Sequence, residues 1–370
     1  MRYDGLVQKF FRKRCHLFLF LAVLLFLMTR DQFSKLSKDV SFKTFHYPMD
    51  IDMPALVRAY RAGGHVDKQP INTYQYSYTT NVTNKCKQSD LFLLFLIKSS
   101  VRHFDRRESI RSTWGKEGPI SGSFPMRTIF LVGMPRENDN HRLYEALEEE
   151  IHLYNDVLQM TFRDDYYNNT QKTVGGIHWA VKHCGHAQFV MFVDDDFYIA
   201  TPFLIAYLNT LSAEQHKTLF MGSLHEDAPD RNMYGKWFIS YEDYPFNRYP
   251  PFISAGAMLM SMHFLKDIQI AIQFTKNFPY DDVFLAIVVF KLGIYPQHNS
   301  NIYTGEIRVE HNSMKFHSVI ASHGYYNDEL LQAAWRTHKV YVDALRKVLY
   351  PVPQRITNTG NNTTDQTTII

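Results

Sequence analysis

Charge of one sign, cysteine and long apolar runs are all scarce in this chain. Its 370 residues carry 40 Lys and Arg against 37 Asp and Glu, a formal net charge of +3. So small an excess, with no basic block beyond Arg12-Lys13-Arg14, argues against a nucleic-acid partner. A polar, low-complexity composition is lacking too, since 45% of residues are hydrophobic and 15% aromatic. That excludes wholesale disorder and suffices to bury one large core or two smaller ones.

The N-terminal apolar run is short: residues 15–28 are apolar except for His16. A helix of that length reaches ~21 Å, against ~30 Å for a bilayer interior, so a cleaved signal peptide is one reading. Extension through Thr29 and snorkelling of the basic flank close much of the gap. No small-x-small cleavage site follows Met28. We therefore favour an uncleaved signal anchor over residues 15–30, with 1–14 cytosolic and the remainder lumenal, a single-pass type II arrangement.

Of three cysteines, Cys15 falls in the apolar run. Cys86 and Cys184 are thus expected to form one disulfide in an oxidising compartment. Asn81, Asn168, Asn361 and Asn362 each open an Asn-x-Ser/Thr tripeptide, which fits glycosylation there. Residues 31–85 show no sustained period and are broken by Pro48, Pro54, Pro70 and Gly63-Gly64. They read as a stem, with one short helix over 54–60. The Asn/Thr-rich stretch 351–370 reads as a frayed tail, leaving 86–350 as the folded body.

What the chain does have is an acidic triplet, Asp194-Asp195-Asp196, directly after the apolar residues 189–193. Such a run predicts a buried strand that delivers the carboxylates to the rim of a sheet. Adjacent carboxylates repel, and a hard cation such as Mg²⁺ or Mn²⁺ relieves them. A solvated turn is the plain alternative. Around the triplet, strands and helices alternate. Residues 91–97, 127–132 and 157–162 have strand character; 105–114 and the faces built on Leu143, Leu147, Ile151 and on Val174, Ile177, Val181 are helical. This predicts an α/β fold with a doubly wound, mostly parallel sheet flanked by helices, which binds ligands at the carboxyl ends of its strands.

Two more clusters follow. Residues 236–252 are dense in aromatics, turn formers and charges, and lead into Ser254-Ala255-Gly256-Ala257. Aromatic faces beside polar groups suit a sugar cleft, and an aromatic-rich core loop is the alternative. Asp281-Asp282 opens an apolar helix, where acids ordinarily serve as caps; Asp282 becomes a candidate general base only if it shares a pocket with a leaving group. A single imidazole, His323, follows a short apolar run and could complete an oxygen-rich metal site.

Together these segments resemble the β1,3-glycosyltransferase family of galactosyl-, N-acetylglucosaminyl- and fringe-type enzymes. Arg106 to Gly115 reads RRESIRSTWG, similar to the family's RRxxIRxTWG; 192–196 look like its DxD-bearing strand and Asp281-Asp282-Val283 like its [ED]DV motif. Shorter segments, including 46–48, 236–240, 244–246 and 319–323, are most similar to Brainiac-type β1,3-N-acetylglucosaminyltransferases. The resemblance implies a GT-A fold, a UDP-sugar donor, Mn²⁺ or Mg²⁺, inversion at the anomeric carbon and a place in the Golgi membrane. It assigns Asp196 as the direct metal ligand, with Asp194 beside the metal or on the ribose and His323 as a further ligand. It puts Asp282 as general base and Arg106, Arg107, Arg111, Asp194 and Asp195 near the nucleotide. Trp237, Tyr241, Gly256 and Asp281 are candidates for the sugar pocket. The implied reaction moves a hexosyl unit, N-acetylglucosamine favoured and galactose the alternative, to the 3-hydroxyl of a glycolipid or glycoprotein glycan. A metal-dependent phosphohydrolase and a non-catalytic carbohydrate-binding protein are the readings from other classes.

Overall fold

Successive side chains of a strand point to opposite faces of its sheet, and here both faces are apolar. Leu94, Leu96, Val190, Phe192, Met258 and Met260 enter one buried layer. Leu93, Phe95, Ile97, Met191, Val193 and Leu259 enter the other. A sheet covered on both sides by helices needs unbroken apolar strands, and that is why these runs do not alternate with polar residues. The computed structural model describes residues 16, 18–24 and 45–349, except 75, 88–89, 119–123, 138 and 140.

The chain begins its described body with helix α1 (Met53–Arg61), then lays down β1 (Leu93–Lys98), α2 (Phe104–Ser112), β2 (Met126–Met134), α3 (His141–Tyr154) and β3 (Val157–Arg163). There follow α4 (Asn169–His183), β4 (Phe189–Asp194), β5 (Phe197–Ile199), α5 (Thr201–Leu208), α6 (Ala213–Thr218), β6 (Phe220–His225), β7 (Phe252–Ser261) and α7 (Met262–Ala271). The last elements are α8 (Asp281–Lys291), β8 (Gln297–His298), β9 (Ile302–Tyr303), β10 (Ala321–His323) and α9 (Asp328–Leu349).

The main sheet has the order β3-β2-β1-β4-β7-β6-β8. β1 is parallel to β2 and to β4, and β2 is parallel to β3. The sheet is mixed, because β7 runs antiparallel to both β4 and β6. The strand order turns back between β1 and β4, where Lys98 lies opposite Asp194 at the carboxyl ends. Open sheets place their binding crevice at such a switch point. A small second sheet sets β10 antiparallel to β5 and parallel to β9. Its register puts His323 opposite Phe197, one residue beyond the acidic triplet.

The expected stem differs from what is observed. From Phe45 onward the chain is packed on the body. Asp52 caps α1 by accepting from Ala55 N–H at 3.0 Å, and Met53, Leu56 and Val57 are buried against α7. Burying side chains of this kind contributes about 1.5–3 kcal/mol each. Thr79 N–H donates to Gln159 O and Thr161 N–H to Ser77 O, so 77–79 cover the edge of β3 that would otherwise be unpaired. These contacts come one or two residues at a time, which leaves no period to read in the sequence.

Cys86 and Cys184 form a disulfide across 98 residues of sequence, tying the turn before β1 to the end of α4. Cross-linking a loop of that size restricts the unfolded chain, and Cys184→Ser should lower stability by about 4–5 kcal/mol. Urea unfolding of the oxidised protein checks this; a midpoint equal to the wild type's would contradict it. Residues 18–24 are helical, and among the described residues no helix is long and apolar enough to cross a membrane. Most of the expected anchor (15–30), and the whole tail 351–370 with Asn361 and Asn362, lie outside the described residues.

Candidate active site

The carboxyl ends of β1 and β4 deliver the first charges. Asp194 is the last residue of β4, and its Oδ1 lies 3.1 Å from Lys98 Nζ. Burial raises the Asp194 carboxyl to about 6, helped by Asp196 and Asp281 and opposed by Lys98. Asp195 turns away from the cavity. Its carboxylate accepts from Ser99 Oγ at 2.7 Å and from Arg106 at 2.8 Å, and lies 2.8 Å from His103 Nδ1. Burial alone would raise it, but His103, Ser99 and Arg106 outweigh burial and hold it below the usual carboxylate value. Asp195 fixes the turn, because both its carboxylate oxygens are engaged by the protein.

Asp196 has one oxygen, Oδ1, buried with no hydrogen-bond partner. The other, Oδ2, is 3.5 Å from His323 Nε2 and 3.8 Å from Arg106. His323 Nδ1 lies 3.1 Å from Gly305 O, a carbonyl to which it can only donate, so its Nε2 faces the carboxylate. That hydrogen bond to Asp196 raises the His323 pKa. An orphaned oxygen beside an imidazole nitrogen is an arrangement that a proton or a cation completes.

Helix α8 brings the second acidic pair. Lys98 Nζ donates to Asp281 Oδ2 at 2.9 Å and to Ala255 O at 3.0 Å, and Thr173 Oγ1 donates to the same Asp281 oxygen at 2.6 Å. Lys98 is thus a buried cation between two carboxylates, which raise its pKa against burial. Asp281 is pulled below its ordinary value, since Lys98 and Thr173 overcome its burial. Asp282 is the opposite case. Burial and the neighbouring Asp281 charge push it up to about 7, while its Oδ1 accepts from Val283 N–H at 2.8 Å.

Lys98, Asp194, Asp281, Asp282 and His323 all border one cavity of about 610 Å³. Its opposite wall is aromatic, with Tyr166, Trp237, Tyr249 and Phe252. Gly256 lines it as well, and a Cβ there would come within 2.5 Å of the Phe197 ring, so the glycine lets Phe197 pack beneath the acidic turn. The wall is held by Arg231, whose guanidinium donates to the carbonyls of Ile239, Ser240, Tyr244 and Phe246 at 2.7–2.8 Å. Tyr241, expected in the sugar pocket, is not part of the lining; its ring lies 4.0 Å from Arg231 instead.

Two of the three expected arginines are elsewhere. Arg107 is fully buried and pairs with Glu150 at 2.6 Å; Arg111 pairs with Glu150 and Asp156 at 2.8 Å. Four residues apart, they share one face of α2, and that face is turned to acids of the interior. Arg106, one residue and ~100° away, is the one beside the acidic turn. Lys98 and Thr173 were not singled out from the sequence. The signal for Lys98 was present, a lone cation ending an apolar strand that would have to be paired; Thr173 gave none. Of the described sequons, Asn81 is exposed and Asn168 partly exposed.

The family model described as Galactosyltransferase matches residues 105–300. The chain is 33% identical over 297 residues to "Beta-1,3-galactosyltransferase brn" of Drosophila melanogaster, covering 79% of this chain and 85% of that protein. The chain belongs to the galactosyltransferase family. Human "Lactosylceramide 1,3-N-acetyl-beta-D-glucosaminyltransferase" is 33% identical over 71% of this chain and 70% of its own length. Mouse "Beta-1,3-galactosyltransferase 1" is 29% identical over 77% and 83%. Among solved structures, the WbbM bifunctional glycosyltransferase covers 56% of the chain at 10% identity with a TM-score of 0.32, and the assignment rests on the sequence relatives. The galactosyltransferase-family match contains both acidic pairs of the cavity. Lys98 and His323 lie outside its limits, and β1 and β10 bring them in.

Proposed function

We propose that the chain is an inverting β1,3-glycosyltransferase. It moves a hexosyl unit, N-acetylglucosamine favoured, from a UDP-sugar to the 3-hydroxyl of a glycan on lipid or protein, at the Golgi membrane. The observation that carries this reading is Asp282, a carboxylate raised to about 7 in the same cavity as Asp194 and His323. A base is most useful when its pKa lies near the working pH. Asp282 accepts the proton as the acceptor hydroxyl attacks, and the Val283 N–H holds its other oxygen in place. Trp237 and Tyr249 offer flat faces to the sugar rings. Lys98 pairs with Asp281, so the carboxylate next to Asp282 is compensated.

The donor chemistry of Asp196 and His323 fits a divalent cation. Among the described residues no group of three or more His, Cys, Asp or Glu is placed to hold a metal alone, and Lys98 engages Asp194. A two-ligand site suits a hard cation that takes its remaining oxygens from phosphates and water. When bound, such an ion neutralises charge on the departing diphosphate.

Incubating the purified chain with Mn²⁺, a panel of UDP-sugars and β-hexoside acceptors tests the proposal. The named relatives divide between galactosyl- and N-acetylglucosaminyltransferases, so the panel includes both donors. Transfer of neither sugar by folded protein would overturn it. The pH profile is a further expected result. Asp282 acts when ionised, so kcat should rise with pH through about 7 and level off above; a flat profile across that range would contradict its role as base.

A further inference from the structure

The mouth of the cavity, where Tyr166 and Trp237 line the wall, continues into exposed aromatic residues of which the proposed chemistry uses only Trp237. Tyr234 is 89% exposed, Met233 69%, Tyr167 60%, Trp237 55%, Tyr166 45% and Phe238 38%. Trp237 Nε1 donates to Tyr166 Oη at 3.0 Å, and Lys236 Nζ lies 4.3 Å from the Tyr166 ring centre and 5.3 Å from that of Trp237. Backbone carbonyls of Lys236 and Phe238 accept from Tyr280, so the patch is braced against the residue preceding α8. Several large apolar side chains exposed within one loop and its neighbour mark a contact with a partner or a membrane.

We propose that this face lies on a zwitterionic bilayer and sets the cavity against it, so that the acceptor is drawn from the lipid surface. The inference rests on the glycosyltransferase reading above and narrows its acceptor to a lipid-linked glycan. Three observations select a bilayer as the occupant. Tyr, Trp and Lys with apolar neighbours are the residues that settle at a membrane interface, ring inward and polar tip outward. The described body also begins on the same loop: Phe45 packs on Phe246 at 5.1 Å and Tyr47 on Tyr244 at 5.5 Å between ring centres. With 45–87 folded onto the body, sixteen residues separate Met28 from Phe45, a tether of at most ~55 Å. An anchor at 15–30 would therefore keep the body within that distance of the bilayer, joined to it through the segment that packs on this loop. Finally, Glu242 and Asp243 are exposed on the same loop, which disfavours anionic lipid.

Two measurements on the full chain, reconstituted in phosphatidylcholine vesicles, test this. Lipids brominated near the carbonyl end should quench tryptophan emission, and Trp237→Phe should remove most of the quenching, because Trp114 and Trp179 are fully buried and Trp335 is partly buried against the core. No quenching, or quenching unchanged by Trp237→Phe, overturns the proposal. The second measurement uses Met233→Ser with Tyr234→Ser, neither of which lines the cavity. Transfer to a glycolipid in the vesicle should fall on the order of tenfold through lost interfacial binding, while transfer to the same glycan on a water-soluble aglycone stays unchanged. Equal loss on both acceptors overturns the proposal and assigns the surface to the glycan itself. Self-association that the variant abolishes, without lipid quenching, overturns it in favour of a second copy. Absence of wild-type transfer to either acceptor would instead count against the glycosyltransferase reading, with the quenching still deciding the surface.

Discussion

Replacing Asp282 by Asn should lower kcat by about 10²–10⁴, the usual contribution of a positioned general base, and leave UDP-sugar binding unchanged. The amide keeps the shape and can still accept from Val283 N–H, but it takes no proton. A rise in KM with kcat preserved would show instead that Asp282 only binds the acceptor. The same variant should be more stable than wild type at pH 8. The sign follows from its raised pKa: between the ordinary 3.8 and about 7, the folded protein binds a proton that the unfolded chain releases. Wild-type stability thus falls as pH rises through that window, and the full penalty persists above it. Asn carries no such penalty, so the advantage should vanish below about pH 4. Thermal melts at pH 8 and pH 4 measure it, and an Asn variant less stable at both would contradict the buried-carboxylate account.

Lys98→Met should be the most damaging substitution at the site. The methionine nearly matches the lysine in volume and leaves Asp194 and Asp281 without their cation. Removing one partner of a buried pair costs about 3–5 kcal/mol, because the remaining charge stays desolvated. The loss should depend on pH. In the wild type Lys98 is fully charged below its unfolded pKa of 10.5, which folding raises further, so its contribution is complete throughout the neutral range. In the variant the orphaned carboxylates would have raised pKa values, and stability would fall as pH climbs from about 4. Urea midpoints should differ from wild type more at pH 8 than at pH 5. An equal loss at both would mean that Lys98 acts through packing alone.

These expectations depend on features of unequal visibility in the sequence. The strands β1 and β4, the acidic turn and the head of α8 were legible, since unbroken apolar runs next to carboxylates have few other uses. The reversal of β7 was not, because a residue pattern carries no strand direction. Arg107 and Arg111 look like Arg106 in the sequence, as arginine serves equally at a phosphate and at a buried carboxylate; the facing Glu150 and Asp156 separate the cases. Residues 45–87 read as a spacer because their anchoring contacts are distant in sequence and aperiodic. Lys98 was overlooked although its position, at the end of a buried strand opposite Asp194, makes it the link between the acidic turn and the helix that carries Asp282.

The most direct test of the account is the stereochemistry of the product. When the chain is supplied with its UDP-sugar, a divalent cation and a β-hexoside acceptor, NMR of the isolated product should show one new β linkage to the acceptor's 3-hydroxyl, with one UDP released per sugar transferred. An α linkage, attachment at another hydroxyl, or release of free sugar and UDP with the acceptor untouched would contradict it.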